Sequence, residues 1–237
     1  MMSDLRIMKR FTATLSVVFL GAMQSWGAYG FFNDGGSFAI INSGSGDTYY
    51  DISEDTGNPD FHGNDFGDFD AQTDSLVLTG FENQTFENGG DGVMDGFLFY
   101  RVYGQGDSAP AWQTIAHDTY TDLGSGNERH ENTGANIDLL AGLVDGDYYL
   151  ELVPAAQVDW NGTDGAFPDD TIYTQQDGST ILNGGVASIP PAINPSPAFI
   201  FQAQFSVSNA VPEPSVVGLL GVALVLIRVM RTRTVAK

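Results

Sequence analysis

Residues 198–207 read Ala-Phe-Ile-Phe-Gln-Ala-Gln-Phe-Ser-Val and alternate with a period of two. Phe199, Phe201, Ala203, Phe205 and Val207 share one face, and Ile200, Gln202, Gln204 and Ser206 share the other. Successive side chains of an extended chain point to opposite sides, so the pattern predicts a strand with one face buried. Phe97-Leu98-Phe99-Tyr100-Arg101-Val102-Tyr103 alternates in the same way and is rich in aromatic strand formers. Gly36–Ile41, Thr48–Ile52, Ser75–Thr79, Trp112–Ala116 and Asp147–Val153 are further candidate strands, separated by clusters of Gly, Asn and Asp. The helical hint in the body is the short stretch Ala135–Leu143. Many short strands joined by turn residues predict an all-β fold, a β-sandwich or a jelly roll.

A sharper local pattern is Leu143-Val144-Asp145-Gly146-Asp147-Tyr148-Tyr149-Leu150-Glu151-Leu152. It is an Asp-Gly turn entering an alternating strand, with Tyr148, Leu150 and Leu152 facing in. It resembles the corner that enters a late strand of immunoglobulin- or fibronectin-III-like domains, where a Tyr hydroxyl bonds back to the backbone. A plain hairpin is written with the same letters. The expected core contains Phe199, Phe201, Phe205, Leu150 and Leu152. Pro154–Pro197 is less regular and reads as an insertion between the last two strands, with a hairpin formed by Thr171–Tyr173 and Thr180–Leu182.

The chain has 237 residues, no Cys, and charges that are unevenly placed. Arg6, Lys9 and Arg10 lie at one end and Arg228, Arg231, Arg233 and Lys237 at the other. From Ala28 to Val211 there are 28 acidic residues against 2 basic, Arg101 and Arg129, a net of −26. Such a body repels nucleic acid, whose binding needs Lys and Arg to displace counterions. High charge also keeps an extracellular protein soluble. The acids are 22 Asp and 6 Glu. Asp favours turns, where its short side chain bonds its own backbone, and Glu favours helices, so the bias agrees with strands and tight loops. Without disulfides the fold rests on its core, which a body of this size can supply.

Both ends read as addresses. Three basic residues precede the apolar run Phe11–Met23, and Ser25-Trp26-Gly27 places small residues at −3 and −1 of a cut before Ala28. This is the layout of a signal peptide over 1–27. After the body, 28–210, comes Val211-Pro212-Glu213-Pro214-Ser215, an apolar stretch, and the basic cluster Arg228, Arg231 and Arg233 with Lys237. A helix over about 215–230 would be about 24 Å long, short of a ~30 Å hydrocarbon core. The basic cluster would hold its far end in the cytoplasm and the body outside. The triplet, the membrane helix and the basic end, in this order over 211–237, resemble the PEP-CTERM sorting signal. The match falls on Pro212, Glu213 and Pro214. The resemblance implies processing by an exosortase at the inner membrane of a Gram-negative, exopolysaccharide-making host. It also implies transient anchoring there, followed by delivery to the cell surface or extracellular matrix. Asp47–Tyr149 further resembles a β-sandwich module of secreted bacterial proteins that carry sorting tags. The resemblance rests on Asn58-Pro59-Asp60-Phe61, Phe97–Tyr103 and Leu139–Tyr149.

The body offers little classical chemistry. His62, His117 and His130 lack the paired spacing of a zinc site and read as surface residues. Asp65, Asp68 and Asp70, Asp91 and Asp95, and the loop Asp159–Gly165 are oxygen-rich, so a structural calcium is the one metal the pattern admits. No nucleophile-elbow, metalloprotease or phosphate-loop motif is present, and no enzymatic activity or cofactor is expected. A glycosidase would need two carboxylates across a cleft, and no pair among Glu54, Glu82, Glu87, Glu128, Glu131 and Glu151 stands out. Sugars stack on exposed aromatics, for which Trp160 in a polar loop is the better candidate and Trp112 reads as core. The expected function is a structural or adhesive role in an exopolysaccharide matrix. The alternatives are a glycan-binding module and, behind it, a small β-sandwich glycoside hydrolase.

Overall fold

The computed structural model describes residues 29–31, 36–52, 57–87, 92–159, 170–175, 180–182 and 197–208. The signal peptide, Pro212, Glu213, Pro214, the 215–230 helix and Arg228, Arg231 and Arg233 lie outside the described residues. So do Glu54, Asp91 and Trp160. Among the described residues no helix is long and apolar enough to cross a membrane.

The described chain is built from strands: β1 (Tyr29–Phe31), β2 (Ser37–Asn42), β3 (Asp47–Asp51), β4 (Asp65–Asp70), β5 (Val77–Glu87), β6 (Gly92–Gly104), β7 (Gln113–Ala116), β8 (Thr119–Gly124), β9 (Asn127–Asn132), β10 (Ile137–Asp138), β11 (Gly146–Asp159), β12 (Asp170–Thr174), β13 (Thr180–Leu182) and β14 (Phe201–Ser208). They form two sheets. The first runs β3-β2-β5-β9-β8, with β1 and β10 also on β5. In the second, β11 is central, with β6 and then β7 on one edge. On its other edge β11 pairs β14 along Gly146–Leu152 and β12 along Ala155–Val158. Pro154 falls between these two partners, where that edge has no registered strand. This is a position that tolerates a residue without an N–H, so the strand runs on to Asp159 instead of stopping at Val153.

The sheets pack face to face on one core. Ala39, Ile41, Leu78 and Phe81 of the first meet Leu98, Leu150, Leu152, Phe201, Ala203 and Phe205 of the second. The alternation of β14 is realised as expected from Phe201 to Val207. Phe199 departs from it. Pro197–Phe199 form a 3₁₀ turn, closed by the Ile200 N–H donating to the Pro197 carbonyl at 3.2 Å. The turn rotates the chain, and Phe199 enters a second cluster on the outer face, with Phe97, Phe99, Val153, Ala155 and Tyr173. Its ring stacks on Tyr173 at 5.6 Å.

The Tyr corner is present. The Tyr148 hydroxyl donates to the Val144 carbonyl at 2.9 Å and accepts from the Val144 N–H at 3.2 Å. Its ring stacks on Phe205 at 5.6 Å. The expected hairpin of Thr171–Tyr173 and Thr180–Leu182 is β12 with β13.

Two expectations are overturned. Ala135–Leu143 holds the short strand β10 and turns rather than a helix, because Ile137 and Asp138 pair with Leu78 and Val77 of β5. Ser75–Thr79 is strand only from Val77, where β5 begins, and β5 continues to Glu87 through a register shift opposite Ile40 and Ile41. Gly80 sits at that shift, where a Cβ would overlap the Asn132 carbonyl.

Phe201→Ala is expected to cost about 3–5 kcal/mol in urea denaturation, as a large core truncation. Tyr148→Phe is expected to cost about 1 kcal/mol through the lost corner bonds. Parent-like stability of the first variant would contradict the assigned strand faces.

Candidate functional site

The outer face of the second sheet carries the clearest constellation. In β6 the residues alternating with core Leu98, Tyr100 and Val102 are Phe99, Arg101 and Tyr103, and the register places Arg101 beside Glu151 and Tyr103 beside Tyr149. On the other side of β11, Glu151 faces Gln202, Tyr149 faces Gln204 and Asp147 faces Ser206. Strand β4 pairs parallel to β14 and brings Asp65 beside Gln204. Period-two geometry thus assembles rows of polar and aromatic side chains from β6, β11, β14 and β4.

Glu151 anchors the face. It is 4% exposed. Its Oε2 accepts from Arg101 Nε at 2.7 Å and lies 2.6 Å from Nη2. Its Oε1 accepts from the Tyr103 hydroxyl at 2.6 Å and from Gln202 Nε2 at 2.9 Å. A buried carboxylate needs such a set of partners, since burying a charge unpaired costs several kcal/mol. The Arg101 guanidinium lies 4.0 Å from the Trp112 ring centre, a stacked cation–π contact. Tyr103 meets Tyr149 edge to face at 5.8 Å. Burial, then the hydrogen bond and charge of Glu151, push the Tyr103 hydroxyl up to about 12, against a smaller opposing effect of Arg101.

Next to this platform is a cleft of about 230 Å³, lined by Asp65, Gln105, Asp147, Gln204, Phe205 and Ser206. Asp147 Oδ1 accepts from Ser206 Oγ at 2.7 Å, and Asp65 Oδ2 accepts from Gln204 Nε2 at 3.0 Å.

A second polar group lies between the sheets. His117 and His130 are 5.0 Å apart edge to face, so the fold joins residues that are distant in the chain. His130 is wholly buried rather than on the surface, because β9 turns it inward under Gly96, where a Cβ would collide with it. Glu128 lies 3.6 Å from His130 Nε2 and accepts from the Tyr120 hydroxyl at 3.0 Å. Asn83 Nδ2 donates across the sandwich to the carbonyls of Phe97 and Ala155, at 3.0 and 3.3 Å. His62 stands apart and accepts from the Gln202 N–H at 3.2 Å.

The described calcium candidates of one group, Asp65, Asp68 and Asp70, do not converge. Asp65, Asp68 and Asp70 lie on β4 instead of a loop. Asp65 Oδ1 caps the Gly67 N–H at 2.9 Å, and Asp70 Oδ1 caps Gln72 at 2.9 Å. No group of three or more His, Asp or Glu among the described residues is arranged to hold a metal ion. Asp159 ends β11, and the rest of its loop lies outside the described residues. Of the described Glu residues, Glu82 and Glu131 flank Arg129, Glu87 accepts from the Val93 N–H at 3.2 Å, Glu128 faces the interior and Glu151 lies on the other sheet. Trp112 is half-buried ahead of β7, against Arg101 and the outer apolar cluster.

Sequence reasoning missed Arg101, Tyr103, Glu151 and Gln202 as a unit. The signal was present: an acid and a base occupy otherwise apolar, aromatic-rich strands. No family model, curated protein or solved structure matches the chain.

The raised Tyr103 hydroxyl sets a pH dependence. The folded state holds this proton more tightly than the unfolded chain, so the contribution is full below about pH 10, the ordinary Tyr value. It is lost as pH rises toward about 12. Denaturation measured from pH 8 to 12 should show this decline. Tyr103→Phe should reduce it, leaving the part due to Tyr120, whose hydroxyl is also raised to about 12 by burial and Glu128. The same variant should cost about 1.5–3 kcal/mol at pH 8, the range for a hydrogen bond to a charged group. An unchanged alkaline slope would refute the assignment.

Proposed function

We propose that this is an exported bacterial surface protein, delivered through a PEP-CTERM tag, whose β-sandwich body has an adhesive role and holds extracellular polysaccharide on the outer face of its second sheet. The observation that carries the binding role is the Arg101–Tyr103–Tyr149–Gln202 platform, fixed from beneath by Glu151, beside a polar cleft. Sugars are recognised by an aromatic surface together with rigidly held hydrogen-bonding groups, and the platform supplies both. A carboxylate with every oxygen engaged stiffens its neighbours, which lowers the ordering cost of binding.

The finer fold we assign is immunoglobulin-like. The order β8-β9-β5-β2 parallels the D-E-B-A sheet of that fold, and β7-β6-β11-β14 parallels C′-C-F-G. The Tyr148 bonds to Val144, at the entry of the strand equivalent to F, support the same reading.

Export rests on the sequence at the two ends. The run before Ala28 reads as a signal peptide, and Pro212-Glu213-Pro214 with the apolar stretch and Arg228, Arg231 and Arg233 reads as the exosortase tag. The partners are then the exosortase and inner membrane during sorting, and exopolysaccharide afterwards.

Two experiments test this. Tyr149→Ala should abolish retention of the exported protein by a panel of bacterial exopolysaccharides. Tyr49→Ala, at an exposed position on the other sheet, should retain it. Equal retention by both variants would remove the binding face. Independently, replacing Pro212, Glu213 and Pro214 with Ala should leave full-length protein in the inner membrane, read by fractionation and mass spectrometry of the C-terminus. Surface delivery of that mutant with its apolar tail intact would leave an ordinary tail anchor as the better reading.

A further inference from the structure

The cleft beside the platform also bears on which sugars it accepts, an inference that rests on the glycan-binding reading. Its lining is rich in acceptors. Asp65 and Asp147 are carboxylates with lone pairs to spare beyond the bonds they already accept. Gln204 has committed an N–H to Asp65, which leaves its Oε1 to accept. Gln105 is exposed at the rim, where its backbone N–H donates to the Asp147 carbonyl at 2.8 Å and fixes the turn.

Cations are the missing element. The two basic residues of the body are both engaged. Arg101 is held by Glu151 under Trp112. Arg129 lies on the other sheet, 3.1 Å from Glu131 and 4.0 Å from Glu82. Recognition of a uronate, sulfate or phosphate needs Arg, Lys or a cluster of donors, and this face presents two carboxylates in their place. Asp65 and Asp147 are exposed, and a like charge brought into contact with either still lies well inside the ~8 Å Debye length of physiological salt, so the repulsion is felt there. The volume of about 230 Å³ falls below the ~300–1,000 Å³ typical of drug-sized ligands, a size that suits a single ring of a longer chain.

We infer that the outer face of the second sheet selects non-acidic sugars that donate hydrogen bonds, and that Asp65 and Asp147 reject acidic ones. The donor is a hydroxyl, or the ammonium of an amino sugar. Both chemistries match the same acceptors.

The test uses matched polymers and the full exported chain. Neutral polysaccharides of several linkages are compared with carboxymethylated forms of the same backbones, and with an amino-sugar polymer, at 0.15 M salt. The Debye length there is about 8 Å, so distant charges of the acidic body are largely screened while those in contact with a bound sugar are screened less. At least one neutral or amino-sugar polymer should bind, and its carboxymethylated form should bind at least tenfold more weakly. Which of the two binds identifies the donor. Asp65→Asn with Asp147→Asn keeps the shape and should narrow the gap severalfold. Gln105→Ala, at an exposed rim position, should weaken the preferred polymer without shifting the melt. Equal binding of a polymer and its carboxymethylated form would overturn the selectivity and leave glycan binding intact. Failure of every polymer to bind would overturn the glycan reading and the selectivity with it.

Discussion

The antiparallel register of β11 with β6 is the constraint on which the rest depends. It sets Leu152 against Tyr100 and Leu150 against Val102 on the inner face, and Glu151 against Arg101 on the outer face. A slip of one residue would move every side chain of β11 to the other side. Leu150 and Leu152 would enter solvent, and Glu151 would enter an apolar core with no cation to meet it. The register is therefore held from both faces: by apolar burial within, and outside by a buried charge whose partners exist in one alignment.

Two further devices lock the same strand. The Tyr148 hydroxyl ties the strand entry to Val144, and its ring lies on Phe205 of the neighbouring strand. At the far end Asn83 crosses from the first sheet to the Phe97 and Ala155 carbonyls. There Gly96 makes the approach to His130 feasible, since a Cβ would collide with it. These polar ties perform in a chain without cysteine the fixing role that an inter-sheet disulfide has in many sandwiches. The Asn83 tie is satisfied by carbonyls already held in β6 and β11. The rigidity carries through to the outer face, whose aromatic and carboxamide groups project from strands instead of loops.

The charge of the body shapes both its edges and its site. Strand β4 is an edge strand written almost wholly in Asp, Gly and Phe, and β8, at the edge of the other sheet, carries Asp122. Charged side chains on an edge discourage pairing with other molecules. On the platform the cation Arg101 is held by Glu151, so the outer face offers acceptors beside an already paired guanidinium.

The sequence by itself determined the class of fold and the faces of β11 and β14. Period two in Asp147–Val153 and Phe201–Val207 marks the inward side, because one face of each strand must leave water, whereas in Phe97–Tyr103 both alternating sets carry apolar residues and only the packing chose the side. The Asp-Gly entry also marked Tyr148 as a corner. Phe199 and Ala135–Leu143 were misread, since a 3₁₀ turn and a two-residue pairing leave no periodic trace. Asp65–Asp70 was not read as a strand, because an edge strand has only one paired side and tolerates residues of low strand propensity. Tertiary structure alone decided that Arg101, Tyr103, Glu151 and Gln202 meet, that His130 lies buried against His117, and that Asp65 joins Asp147 around one cleft. Their separations along the chain are long, and residue pairing across strands is set by register, which depends on all the strands packing at once.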